Sequence, residues 1–125
     1  MSDYREKGIK VVDEMLDPQI GAWLKSLIGT GGFDGALAET AFDFAFGAAW
    51  ARPGLTRAQR STVVLGILIA QGTNTDELRI HLATALKNGL TKEEVDEILI
   101  QAIPYAGFPA VAVAAGIWRE VRNAA

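Results

Sequence analysis

The chain has no cysteine and a single histidine, His81. Without a thiol there are no disulfides, no thiolate metal centres and no thiol-peroxidase chemistry. With one histidine and few carboxylates beside it, no metal site is expected. Basic charge is also scarce. Twelve Lys and Arg stand against 15 Asp and Glu, giving a net charge of −3. That balance carries no nucleic-acid footprint, and no nucleic-acid partner is expected. Long apolar runs are missing too. The longest, residues 63–70 and 108–118, fall well short of the roughly 20 residues of a membrane span. Residues 1–7 are mixed in charge with no apolar stretch after them, so they do not read as a signal peptide. The expectation is a soluble cytoplasmic protein without membrane partners.

What the chain does have is apolar bulk. Half of its 125 residues are hydrophobic and the mean hydropathy is +0.18. That suits a single domain over residues 1–125 with a substantial core, and suggests further faces buried between subunits.

The periodicity is helical throughout. Residues 3–16 place Ile9, Val12 and Leu16 at helical spacing. Asp17-Pro18 starts a second helix, with Asp17 as cap and Pro18 in the first position. It carries Ile20, Trp23, Leu24, Leu27 and Ile28, and Gly29-Thr30-Gly31-Gly32 ends it. No strand precedes that loop and no Lys-Ser/Thr follows, so it is not a phosphate loop. A third helix is predicted over residues 35–50, closed by Arg52-Pro53-Gly54. Thr56 and Gln59 form a capping box. The helix after them, to about Gln71, is nearly all apolar past Arg60 and Thr62, which predicts burial all round. Asn74 caps the next helix with Glu77 in the third position, and Asn88-Gly89 closes it with a left-handed turn. Thr91 and Glu94 form another capping box, leading a helix whose apolar face is Val95, Ile98, Leu99, Ala102 and Ile103. Pro104 should kink or end it, and Pro109 opens a last helix to about Val121. The expected fold is all-α: one compact domain of six to seven helices, with no strand, repeat or linker.

Few residues can carry chemistry. Glu77 and His81 are four apart, so a helix puts them on one face. The carboxylate would orient the imidazole, select its tautomer and make it more basic, a pair suited to proton transfer. Two plainer readings stand beside this: Glu77 as a cap, and His81 as a hydrogen-bonded histidine at the core's edge. Arg60 enters an apolar stretch, so it must be paired or face a cavity. It either bridges to Glu39, Asp43 or Glu77, or forms a fork for a substrate carboxylate with Arg57. Phe42, Phe46, Trp50 and Tyr105 are core aromatics or pocket walls.

The order of these residues resembles the carboxymuconolactone decarboxylase family, in the alkylhydroperoxidase-D-like (AhpD-like) superfamily. The resemblance covers residues 46–109. It begins with Phe46-Gly47-Ala48-Ala49-Trp50-Ala51-Arg52-Pro53-Gly54-Leu55. It continues through Arg57, Arg60, Ser61 and Glu77-Leu78-Arg79-Ile80-His81. It ends with Ala85-Leu86-Lys87-Asn88-Gly89-Leu90-Thr91 and Tyr105-Ala106-Gly107-Phe108-Pro109. The superfamily's peroxidases carry a Cys-x-x-Cys pair where this chain has Asn74 and Glu77. The decarboxylase-type branch keeps the histidine and lacks those cysteines, as here.

The resemblance implies an AhpD-like helical protomer assembling into trimers or hexamers through apolar helices. It also implies a site near His81 partly bounded by a neighbouring subunit. The implied reaction is loss of carbon dioxide from γ-carboxymuconolactone to give 3-oxoadipate enol-lactone, in aromatic-compound catabolism (the β-ketoadipate pathway), without a cofactor. His81, Glu77 and Arg60 would be catalytic, with Arg57, Trp50, Tyr105 and Phe46 binding a small anionic substrate. Two positions depart from the pattern. The first helix offers only Lys10 where the family tends to carry two arginines. Ala48 stands where an acidic residue is usual. They leave open a related lactone or activated acid, or a non-catalytic oligomer that binds small acids.

Overall fold

A computed structural model describes residues 3–125. Met1 and Ser2, part of the segment read as no signal peptide, lie outside the described residues. Every regular element among the described residues is helical, so the chain is all-α. In order they are α1 (Asp3–Met15), α2 (Pro18–Ser26), α3 (Gly32–Thr40), a π-helical segment π1 (Ala41–Trp50), α4 (Arg57–Gln71), α5 (Thr75–Lys87), α6 (Lys92–Ala106) and α7 (Phe108–Ala124). Contacts divide the chain into two compact units, Met1–Leu55 and Thr56–Ala125, each with its own core.

In the first unit, α1 buries Val11, Val12 and Met15, joined by Leu16 and by Phe42 of π1. Asp17 caps α2 by accepting from the Gln19 N–H at 2.9 Å, with Pro18 in the first turn. α1 crosses π1 backbone to backbone. A Cβ on Gly8 would strike the Phe42 carbonyl, and one on Gly47 would strike the Tyr4 carbonyl, so only glycine fits at either point. Beside the crossing, Arg5 donates from Nη2 to Asp43 at 2.8 Å and to Glu39 at 3.2 Å, and from Nε to Asp43 at 2.5 Å. The guanidinium holds the Asp43 carboxyl below its ordinary range.

In the second unit, Leu65, Ile69, Leu78, Leu82, Val95, Leu99, Val111 and Trp118 form the core. The capping boxes of α4 and α6 are both closed. Gln59 N–H donates to Thr56 Oγ1 at 3.1 Å and Glu94 N–H to Thr91 Oγ1 at 3.0 Å, and both side chains reach back to the cap. α5 ends as predicted: Gly89 is left-handed (φ +108°) and the Leu90 N–H returns to the Ala85 carbonyl at 3.1 Å. Asp96 ties α6 to α7, accepting from Trp118 Nε1 at 2.7 Å and from Arg122 at 3.1 and 3.0 Å.

Three expectations change. The third helix starts earlier, at Gly32, and its second half is π-helical, with Ala51 N–H bonded to the carbonyl of Phe46 five residues back. Local propensity gives no sign of that wider turn; the close glycine crossing with α1 accompanies it. α4 buries one face only, Ser61, Leu65 and Ile69, whereas Val63 and Ile67 are 52% and 53% exposed. An all-apolar helix in a small unit has too few neighbours to cover it. Of the two outcomes expected at Pro104, a kink or an end, the end does not occur: α6 continues to Ala106. The carbonyl four residues back belongs to Ile100, on an exposed face, so water can replace the missing donor.

Candidate active site

α5 carries the candidate acid–base pair. Its N-cap is Asn74, but the Asn74 side chain makes no capping hydrogen bond, so the predicted box does not form. The backbone gives the reason. Thr56 and Thr91 cap with ψ of 162°, whereas Asn74 has ψ of 73°. Glu77 instead stands opposite His81, with Oε2 3.4 Å from Nε2. The imidazole is largely withdrawn, its side chain 17% exposed, while the carboxylate is half exposed.

The balance of forces on His81 differs from the sequence expectation. Burial disfavours the imidazolium and is the largest influence; Glu77 pulls the other way and does not overcome it. The His81 pKa therefore lies below its ordinary value. At neutral pH the ring is an uncharged base beside a carboxylate that can steady a proton when one arrives.

Glu77 and His81 belong to a longer pattern. Asn74, Glu77, His81, Thr84 and Asn88 recur at alternating spacings of three and four, so they share one flank of α5. Thr84 is buried, and Asn88 donates from Nδ2 to Oγ of buried Ser61 on α4 at 2.9 Å. A polar stripe along a packed helix was legible as a spacing. Sequence reasoning took Asn88 as a helix end and missed it.

The other candidates fall in both units. Arg57 and Arg60 occupy the first turn of α4, three apart and so on one face, both half-buried. The Arg60 Nε is withdrawn from solvent. Glu39 and Asp43 engage Arg5 in the first unit, and in the second Glu77 faces His81. Phe46 and Trp50 pack against the core of the first unit, and the Phe42 and Phe46 rings lie tilted with centroids 6.3 Å apart. Tyr105 lies in the last turn of α6 and is 86% exposed. Glu77 and His81 are joined by a direct contact.

The model of the carboxymuconolactone decarboxylase family matches residues 35–120, which span both units. The chain belongs to that family. The match is wider than the 46–109 run of recognisable motifs, taking in most of α3 and most of α7. Among curated relatives, the chain is 45% identical over 78 residues to a 4-carboxymuconolactone decarboxylase of Acinetobacter baylyi, covering 62% of this chain and 58% of that protein. It is 41% identical over 71 residues to a nitrosuccinic acid decarboxylase of Metarhizium robertsii, covering 57% and 49%. The chain thus spans about half the length of the curated relatives it matches. Family membership frames the α5 stripe: Glu77 and His81 lie inside the matched region, as do Arg57 and Arg60.

Proposed function

We propose that this chain is a cofactor-independent carboxy-lyase. Its substrate is γ-carboxymuconolactone, or a related lactone or activated carboxylate of aromatic-compound catabolism, and His81 is the acid–base residue. The observation that carries the reading is the Glu77–His81 pair: a withdrawn, uncharged imidazole 3.4 Å from a half-exposed carboxylate, inside the family-matched region. Both similar relatives are named for decarboxylation of a small acid. In each named acid the departing electron pair has a sink within the substrate, an unsaturated lactone in one and a nitro group in the other. No added electron acceptor is required.

The step balances simply. The bond from carbon to carboxylate breaks, its electron pair enters the unsaturated ring as a dienolate, and carbon dioxide leaves. The dienolate carbon then takes one proton. His81 is uncharged at rest, so it must acquire that proton first. An arriving anion favours imidazolium and loads it. Glu77, open to solvent, steadies the charge and restores the proton after turnover. Arg60, with Arg57, holds the substrate carboxylate, and Tyr105 or Trp50 donates to the lactone oxygen with Phe46 as an apolar wall. The same reading carries a cytoplasmic homo-oligomer, a trimer or hexamer. Exposed apolar side chains on its helices support that, Val63 and Ile67 of α4 and Ile100 of α6 among them. No described helix is long and apolar enough to cross a membrane.

One observation favours a second reading, an oligomeric binding protein without turnover. The first helix has a single arginine, Arg5, and it is committed to Asp43 and Glu39, while Lys10 is exposed near Glu14. One experiment separates the two. The purified protein is given γ-carboxymuconolactone and nitrosuccinic acid, and carbon dioxide release is followed. The lyase reading expects turnover that His81→Ala lowers by about 10²-fold or more. An unchanged rate in His81→Ala removes His81 from the chemistry. Binding of both acids without turnover supports the second reading.

A further inference from the structure

The polar stripe on α5 continues past the acid–base pair, and its far end is tied to the helix that carries the arginines. Asn88 lies seven residues, two turns, beyond His81, about 10 Å along the axis. There its Nδ2 donates to Ser61 Oγ at 2.9 Å. Ser61 is 2% exposed and follows Arg60 directly in α4. Thr84, 4% exposed, fills the turn between. Leu65 and Ile69 of α4 and Leu78 and Leu82 of α5 also share one apolar core. Such aliphatic contacts are non-directional and permit small axial slips between helices. A side-chain hydrogen bond from one helix to the other does not. It requires one register, because slipping would leave a buried hydroxyl unsatisfied.

We propose that Asn88 and Ser61 are positioning residues, whose hydrogen bond sets the register of α4 against α5 and so the spacing between Arg60 and His81. The inference rests on the reading of His81 as the acid–base group and Arg60 as the anion holder. Neither Asn88 nor Ser61 is assigned a contact with substrate. The chemistry needs such a device. The carboxylate that is held and the ring carbon that receives the proton belong to one small substrate, so a misplacement of about 1 Å at the arginine is felt at the imidazole.

The test compares wild type, Ser61→Ala, Asn88→Ala and the double variant, each checked for an unchanged folded spectrum. Ser61→Ala removes one oxygen and serves if Asn88→Ala fails to fold. Two readouts run together: kinetics with γ-carboxymuconolactone, and the NMR titration of His81, whose signal is unambiguous in a chain with one histidine. The expected result is that each single variant raises KM by about tenfold with a smaller change in kcat, and that the double variant is no worse than either single. The rise in the His81 pKa caused by added lactone should shrink in all three. Wild-type values in both single variants overturn the inference. So does a loss in Asn88→Ala far larger than in Ser61→Ala, which would mean that Asn88 touches substrate directly. If wild type shows the lactone-induced change without turnover, the lyase reading fails and the variants still decide this one. If its His81 ignores the lactone, both fail.

Discussion

Three helices of the second unit begin with the same kind of sequence, and only two begin with the same structure. Thr56-x-x-Gln59 and Thr91-x-x-Glu94 close reciprocal capping boxes. Asn74-x-x-Glu77 has an equally good cap and an equally good third residue, yet its box stays open. What separates them lies one turn further on. α4 carries Val63 and α6 carries Ile98 four residues after the third position; α5 carries His81. At the first two termini the third side chain has the cap as its polar partner. In α5 the carboxylate faces an imidazole instead, and the backbone at Asn74 turns away from capping geometry. One local pattern thus yields a structural device twice and a chemical pair once.

The sharpest way to press that comparison is to remove the carboxylate's charge. Glu77→Gln keeps the shape of the side chain. A capping glutamine works as well as a glutamate, as Gln59 shows in α4, so stability should change little. Activity should fall by about 10- to 100-fold, because the charge that steadies imidazolium is gone. The His81 pKa, already below its ordinary value because burial outweighs Glu77, should fall further. The same ring sets an acid limit on stability. A histidine whose folded pKa is depressed contributes stability that is complete above its unfolded value, about 6.5, and lost as pH falls through the folded value. Denaturant midpoints measured from neutral to acidic pH should therefore decline over that range, and His81→Leu should flatten this part of the decline. A Glu77→Gln protein with full activity would take the carboxylate out of the chemistry and turn α5 back into an ordinary helix.

The two closed boxes provide the next effect down. Thr56→Ala and Thr91→Ala each leave a helix-terminal N–H without its acceptor, and each should cost about 1 kcal/mol in chemical denaturation. Activity per folded molecule should be unchanged in Thr91→Ala. A Thr56→Ala variant that also loses substrate affinity would show that the start of α4 needs its cap to present Arg57 and Arg60.

Much of this was legible in the sequence. Helix starts at Asp17, Thr56, Thr91 and Pro109 and the end at Gly89 are local chemistry, decided by residues within one turn. So was the Glu77/His81 pairing, which needs only helical spacing. The π-helical turn at Ala41–Trp50 was not, because the glycines that accompany it, Gly8 and Gly47, are distant in sequence and meet only across a helix crossing. Arg5 was missed for the same reason, its partners Glu39 and Asp43 being more than thirty residues away. The net direction of the His81 pKa was also out of reach. Spacing reveals the neighbour that raises it, while burial, which lowers it more, exists only once the chain has packed.

The smallest expected effect is the most discriminating. In an ordinary helix start, replacing an N-cap asparagine by alanine costs about 1 kcal/mol. The Asn74 side chain accepts nothing from the backbone of α5, so Asn74→Ala should change stability by no more than about 0.3 kcal/mol, within the usual range for a surface substitution. A denaturant titration beside Thr91→Ala resolves the two values. If Asn74→Ala costs as much as Thr91→Ala, the cap is formed in solution and Glu77 is divided between two tasks. If it costs nothing while Glu77→Gln disables the enzyme, this terminus has been released from structural duty. The opening turn of α5 would then be held mainly by packing of Leu78 and Leu82, and its polar flank would be free for chemistry.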